Sequence, residues 1–187
     1  MSETAERLLT VDEFLAFEGE GDTRYQLVRG AVTAMAPAQL AHGRMVARLA
    51  RLLGNQLRPP CEPITAAGLE PAHRDDTYWQ ADVAVSCTPT APGQVYLGDP
   101  VLVVEVLSPS TESVDRTLKL RDYFRMPSVA DVLLVDTRIV KIEHWRRAGD
   151  RWFVWGPGDT LTILDLSIAL AVDELYAGMR TDGPAGS

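Results

Sequence analysis

The sequence predicts an α/β fold, with a buried central strand, flanking helices and a C-terminal antiparallel extension. Three stretches carry that expectation. Val101 to Leu107 reads VLVVEVL, a short apolar run of the kind found in strands covered on both faces. Between residues 40 and 57, Met45, Val46, Leu49, Leu52, Leu53 and Leu57 recur mostly at three- and four-residue steps, the period of a helix with one apolar face. Beyond residue 135, the runs IVKIEHWRR, RWFVWG and LTIL read as short antiparallel strands in a meander.

In chain order, Thr10 with Glu13 three residues on forms a capping box that opens a helix reaching about Phe17, and GEGDT breaks it. Residues 25–28 and 31–35 flank Arg29-Gly30, a hairpin whose glycine supplies the unusual turn dihedrals. The helix of residues 40–57 stops at the prolines of RPPCEP. Residues 64–67 and 78–86 read as strands around the polar loop HRDD, and Pro89, Pro92 and Gly93 mark a loop before the central strand, 100–108. Ser108-Pro109-Ser110-Thr111 stops that strand and caps a helix over residues 112–125, which Pro127 closes. Val129-Ala130-Asp131 leads into VLLV, a buried strand through Val135, and a last helix is expected at 172–176.

At 187 residues, 46% of them hydrophobic, the chain can bury the core of one globular domain over residues 1–180, leaving a Gly-containing tail, 181–187, to fray. MSETAERLL lacks the basic-then-apolar layout of a signal peptide, and no apolar run approaches the roughly 20 residues of a membrane span, so the cytoplasm is the expected compartment. Cys61 and Cys87 lie far apart, without CxxC spacing or a histidine cluster, and are expected to be reduced and structural. The net charge of -8 argues against a general affinity for polyanions. Locally, however, Arg44, Arg48 and Arg51 recur near helical spacing, and Arg116, Lys119, Arg121 and Arg125 crowd another segment. Arg44, Arg48, Arg116 and Arg121 are the candidates for a nucleic-acid surface; the alternative is that both clusters are solvated helix faces with i,i+4 pairs.

Candidate chemistry centres on Glu105, the one charge inside the central strand. An ionised carboxylate there costs several kcal/mol unless it is paired, hydrogen-bonded or bound to a cation. Asp82, in WQADVAVS, interrupts a second strand, with Gln80 and Ala84 on its face by simple alternation. Two carboxylates on neighbouring strands can share one hard divalent cation, since Mg2+ takes one or two carboxylates plus waters and phosphate. A strand-end Asp82 bonded to a nearby loop is the alternative. Asp115, Lys119 and Tyr123 repeat at four-residue intervals on one face of the next helix. A lysine directed at two carboxylates can orient a water or stabilise charge on a phosphate; an ordinary i,i+4 surface pair with Asp115 is the other reading. A serine nucleophile at Ser108 or Ser110 has no neighbouring histidine or GxSxG context to support it.

These residues carry a family resemblance. VVEVLSPST, followed by Asp115, Lys119 and Tyr123 and preceded by ADVAV, resembles the Uma-type family of restriction-endonuclease-like proteins, part of the PD-(D/E)xK nuclease superfamily. TVDEF and YQLVRGAVTAMAPAQLAHGRMVARL agree with that family's opening helix, hairpin and first long helix with a histidine, here His42, and the likeness runs from about Thr10 to Tyr176. The resemblance implies a restriction-endonuclease-like core with a mixed central β-sheet, and Mg2+- or Mn2+-dependent hydrolysis of DNA. It implies Asp82 and Glu105 as metal ligands and Lys119 as the catalytic lysine. The superfamily's lysine stands two residues after the glutamate, where this chain has Leu107, so Lys119 must reach in from the helix. Ala81 replaces a proline before Asp82, and Gln26 replaces an acidic residue in the YELxxG string; its carbonyl oxygen can still face a cation. Gln26, His42, Asp115, Tyr123 and Ser108 are supporting residues on this reading.

The expected function is therefore metal-dependent DNA endonuclease. The alternative is a non-catalytic interaction module in which Glu105 and Lys119 form a structural pair, a reading that net acidity, Leu107 and Gln26 favour. A homodimer is expected to suit cleavage of both strands of a duplex, with C-terminal edge strands bearing Trp145, Trp152 and Trp155 as the pairing surface or, alternatively, with those tryptophans in the core.

Overall fold

The structure, a computed structural model, describes residues 8–182 apart from 22, 38, 73, 110, 111, 149 and 150. The expected caps at Ser110 and Thr111, His73 of the HRDD loop and the tail beyond 182 lie outside the described residues.

The capping box forms: the Thr10 hydroxyl accepts from the Glu13 N–H and the Glu13 carboxylate accepts from the Thr10 N–H, opening α1 (Val11–Leu15). β1 (Tyr25–Val28) and β2 (Ala31–Ala34) then make the expected hairpin. Both loop residues, Arg29 at φ 53° and Gly30 at φ 83°, have positive φ, as a type I′ turn demands. The amphipathic helix α2 (Leu40–Gly54) buries Met45, Leu49, Leu52 and Leu53. It ends three residues earlier than expected, at Gly54.

Six strands build the central sheet in the order β3 (Glu62–Leu69), β4 (Trp79–Ser86), β5 (Pro100–Leu107), β6 (Asp131–Asp136), β7 (Lys141–Arg146) and β8 (Arg151–Trp155). β5 and β6 are parallel and every other pairing is antiparallel, so the sheet is mixed. A parallel pair needs a crossover, and residues 112–126 provide it. That crossover is not the uniform α-helix the periodicity predicts: α3 (Glu112–Val114) and α4 (Leu120–Tyr123) flank a π-helical turn over Asp115–Lys119, with the Leu120 N–H bonded to the Asp115 carbonyl. The C-terminal meander also needs correction. β7 and β8 extend the central sheet, whereas β9 (Thr160–Ile163) pairs in a separate hairpin with β10 (Ile168–Ala171), ahead of α5 (Val172–Tyr176). The expected strand LTIL thus finds its partner in IALA, whose alternate exposed alanines hid its β character.

One face of the sheet, through Val83, Val85, Leu102, Val104, Val106, Leu133 and Val135, packs on α2, α5 and the β9–β10 hairpin. The other, through Val103, Leu107, Val132 and Leu134, packs on Leu120, Tyr123 and Met126 of the crossover. Glu105 falls between Val103 and Leu107, so alternation aims it at the crossover helix. In β4 the alternation changes phase: Trp79 and Ala81 share a cluster with Ala84, while Val83 and Val85 join the opposite face. The phase change sits at Asp82, where β3 bends. Ala66, in the rung between Thr65↔Val83 and Ala67↔Ala81, has φ 51°, a left-handed conformation that costs a non-glycine residue about 1 kcal/mol.

Cys61 and Cys87 are joined by a disulfide, which corrects the expectation of free thiols. They immediately flank the rung Glu62↔Ser86 and are brought together by the β3–β4 register, a proximity that their 26-residue separation conceals.

Candidate active site

The backbone ladder between β4 and β5 ends at Val83↔Val104. One step further the Asp82 carboxylate replaces it, Oδ2 accepting the Val106 N–H at 2.7 Å, while Oδ1 lies 3.1 Å from His42 Nε2 on α2. Asp82 is thus a strand residue that bonds to the neighbouring strand, not to a loop. The Asp82 and His42 side chains are 18% and 20% exposed and form the open side of the site. The hydrogen bond to Asp82 raises the His42 pKa above its ordinary value, against the opposing effect of burial.

Glu105 lies deeper, 1% exposed. Its Oε1 accepts a short hydrogen bond from the Tyr123 hydroxyl and a second, at 3.1 Å, from Lys119 Nζ. Lys119 Nζ is also 3.1 Å from Asp115 Oδ1 and lies over the Trp79 ring, 5.9 Å from its centroid. The π turn therefore brings Asp115 and Lys119 both inside, where they are 1% and 4% exposed. Their pair is buried and is not the surface pair that spacing alone allows.

Burial pushes the Glu105 carboxyl up to about 8, against the pull of Lys119; Asp115 and Asp82 push it further the same way. Burial alone would lower the Lys119 pKa, yet the surrounding carboxylates Glu105, Asp115 and Asp82 more than reverse that effect and keep the ammonium protonated. The Tyr123 phenol is raised by burial and by Glu105, so it remains a donor. Three carboxylates thus face one lysine and one partly exposed histidine, and Glu105 holds a proton far more readily than an ordinary carboxyl because the positive charge beside it does not offset its burial.

A buried carboxyl held up in this way for want of compensating positive charge supports a cation fit. Among the described residues no three His, Cys, Asp or Glu side chains enclose a metal, but Mg2+ needs only one or two carboxylates and keeps several waters. Asp82 and Glu105, of matching hard-oxygen chemistry, fit that requirement.

Residues 11–172 match the family described as "Uma2: Putative restriction endonuclease". The chain belongs to the Uma2 family. Two uncharacterized Synechocystis proteins are similar to it across most of their length: slr1290, 31% identical with 91% of this chain and 93% of that one covered, and sll1609, 27% identical with 78% and 84% covered. The fold is the restriction-endonuclease-like α/β fold, shared with "a putative nuclease belonging to DUF820" from Anabaena variabilis, at TM-score 0.75 and 16% identity over 90% of this chain and 98% of that one. Uma2 membership supports a nuclease.

The remaining expected residues are spread around this centre. Leu107, at the superfamily's lysine position, is fully buried in the core against the crossover helix; Lys119 meets Glu105 from that helix instead. Gln26 sits on β1, its Oε1 buried without a hydrogen-bond partner. Ser108 accepts the Glu112 N–H through its carbonyl at the start of the crossover. Of the four basic candidates, Arg48 donates to the carbonyls of Leu175 and Ala177 at the end of α5, and Arg116 bridges Glu112 and Glu143. Arg44 and Arg121 are exposed.

Two contributors escaped the sequence reading. Trp79 walls the site beside Lys119, and its indole N–H donates to Asp122 at 3.0 Å. Asp122, fully buried, also accepts from Arg29 of the hairpin turn and from Arg125. Its position three residues after Lys119 put it on the same helix flank, the one signal available in the sequence.

Proposed function

We propose that this protein is a divalent-metal-dependent endonuclease that hydrolyses DNA phosphodiester bonds. The observation that carries the reading is the buried trio Glu105, Lys119 and Tyr123 set beside Asp82 at the end of the β4–β5 ladder. Asp82 and Glu105 would hold Mg2+ or Mn2+. When bound, such an ion polarises the phosphate and lowers the pKa of an attacking water.

The chain's own residues have distinct tasks in this proposal. Lys119 is fixed as an ammonium by its carboxylate neighbours, so it acts as a positive charge that stabilises the developing phosphate charge, not as a base. Tyr123 and Lys119 donate to the same oxygen of Glu105, which orients that carboxylate. Asp115 neutralises part of the Lys119 charge and sets its reach. His42 holds Asp82 at the open side, where a substrate enters. Among the described residues no helix is long and apolar enough to cross a membrane.

A second reading has its own observation. Glu105 Oε1 already has two donors, as a self-satisfied structural pair would in a non-catalytic module that keeps the fold.

The deciding experiment is cleavage of supercoiled plasmid and single-stranded DNA in Mn2+ and Mg2+ by wild type, Glu105→Ala and Lys119→Ala prepared in parallel, with melting measured in the same ions. The nuclease reading expects cleavage in the wild type, a loss of at least about 100-fold in both variants, and an ion-dependent rise in melting temperature that Glu105→Ala abolishes. Equal cleavage by all three and no ion-dependent shift would leave the structural pair as the better account.

A further inference from the structure

The two edges of the central sheet are unlike. β3 carries Glu62 and Pro63 and bends at Ala66, and charge, proline and kinks are the features that keep an edge from pairing with another chain. β8 has none of these over Trp152–Trp155, and its side chains stand out on both faces: Trp152 is 54% exposed, Phe153 38% and Val154 51%. The aromatic groups are held in place, Trp152 stacked on Trp145 at 5.4 Å and Phe153 lying 6.0 Å from the His144 ring.

We infer that β8 is the pairing edge for a second copy of this chain, joined antiparallel about a two-fold axis at Phe153. The strand is self-complementary in that register. Antiparallel pairing sets Arg151 opposite the partner's Trp155, Trp152 opposite the partner's Val154, and Phe153 opposite its own mate. The lone charge of the strand meets an indole face, an attractive arrangement, whereas a parallel register would set guanidinium beside guanidinium. Because β3 is blocked, head-to-tail growth of β8 onto β3 is disfavoured and the assembly closes at two copies.

The association does not rest on the nuclease reading, and its test reads mass and cross-linking only.

Light scattering on the full chain over a range of micromolar concentrations should give twice the single-chain mass of 20.5 kDa, and Val154→Lys should halve it with the circular dichroism spectrum unchanged. Phe153→Cys should form a disulfide-linked pair under mild oxidation, seen on a non-reducing gel, because the two-fold sets these residues face to face. The exposed Leu164→Cys, away from β8, should not. A single-chain mass for the wild type at every concentration overturns the inference, as does a wild-type dimer whose Phe153→Cys form fails to cross-link. Should Val154→Lys lose its fold, the cross-link decides alone.

Discussion

Asp122 shows how much of the site rests on a side chain that is not expected to touch substrate. Its carboxylate receives Arg29, Trp79 and Arg125, so it ties the β1–β2 turn to α4 and fixes the indole beneath Lys119. Asp122→Ala leaves the buried Trp79 indole N–H without its acceptor and the part-buried Arg29 guanidinium without its carboxylate, with Thr77 still accepting from it. The expected cost is about 3 kcal/mol, or a fall in melting temperature on the order of 10 °C for a chain of this size; a change under 2 °C by calorimetry would show the network to be incidental. Glu105 governs pH dependence. Its carboxyl ordinarily titrates near 4.5 and is held up to about 8 in the fold, so the folded chain keeps a proton that the unfolded chain releases. That contribution is complete below about pH 4.5 and is lost as pH rises to about 8. In chelator, the wild type should lose thermal stability across that window and Glu105→Gln should flatten the profile. An identical slope in the variant would place the titration elsewhere.

At the scale of elements, the crossover and the bent strand β3 matter most. A four-residue repeat correctly set Asp115, Lys119 and Tyr123 on one face, because α and π windings both return near the same side after four residues. The π turn was not legible, since no residue type encodes it. β3 was read as residues 64–67 and runs from Glu62 to Leu69; its ends form through pairing with β4, which local propensity does not report. Ala66 bears the strain of the bend opposite Asp82. Ala66→Gly should relieve it and raise stability by about 0.5–1 kcal/mol, whereas Ala66→Val should lower it by more than 1 kcal/mol. Denaturant melts compare the three, and equal midpoints would show that the left-handed conformation carries no cost.

For the molecule as a whole, the net charge of -8 and the local basic clusters pointed in opposite directions, and the fold separates them. Arg48 and Arg116 are engaged in holding α5 and the crossover, leaving Arg44 and Arg121 on the surface. The edge strand β8 is remote in the strand order from β4 and β5, so the proposed association and the candidate chemistry occupy different parts of one sheet. This separation lets substitutions in β8 test assembly without altering Asp82, Glu105 or Lys119.

The sequence by itself determined the central strand with its anomalous Glu105, the amphipathic α2, the hairpin turn at Arg29-Gly30, and the resemblance that led to the Uma2 family, because each depends on local spacing and residue type. Tertiary structure decided the rest. The disulfide, the β9–β10 hairpin, the Asp122 network and the burial of Asp115 with Lys119 join residues through strand register and packing, and contacts between segments distant in the chain leave no periodic mark within either segment.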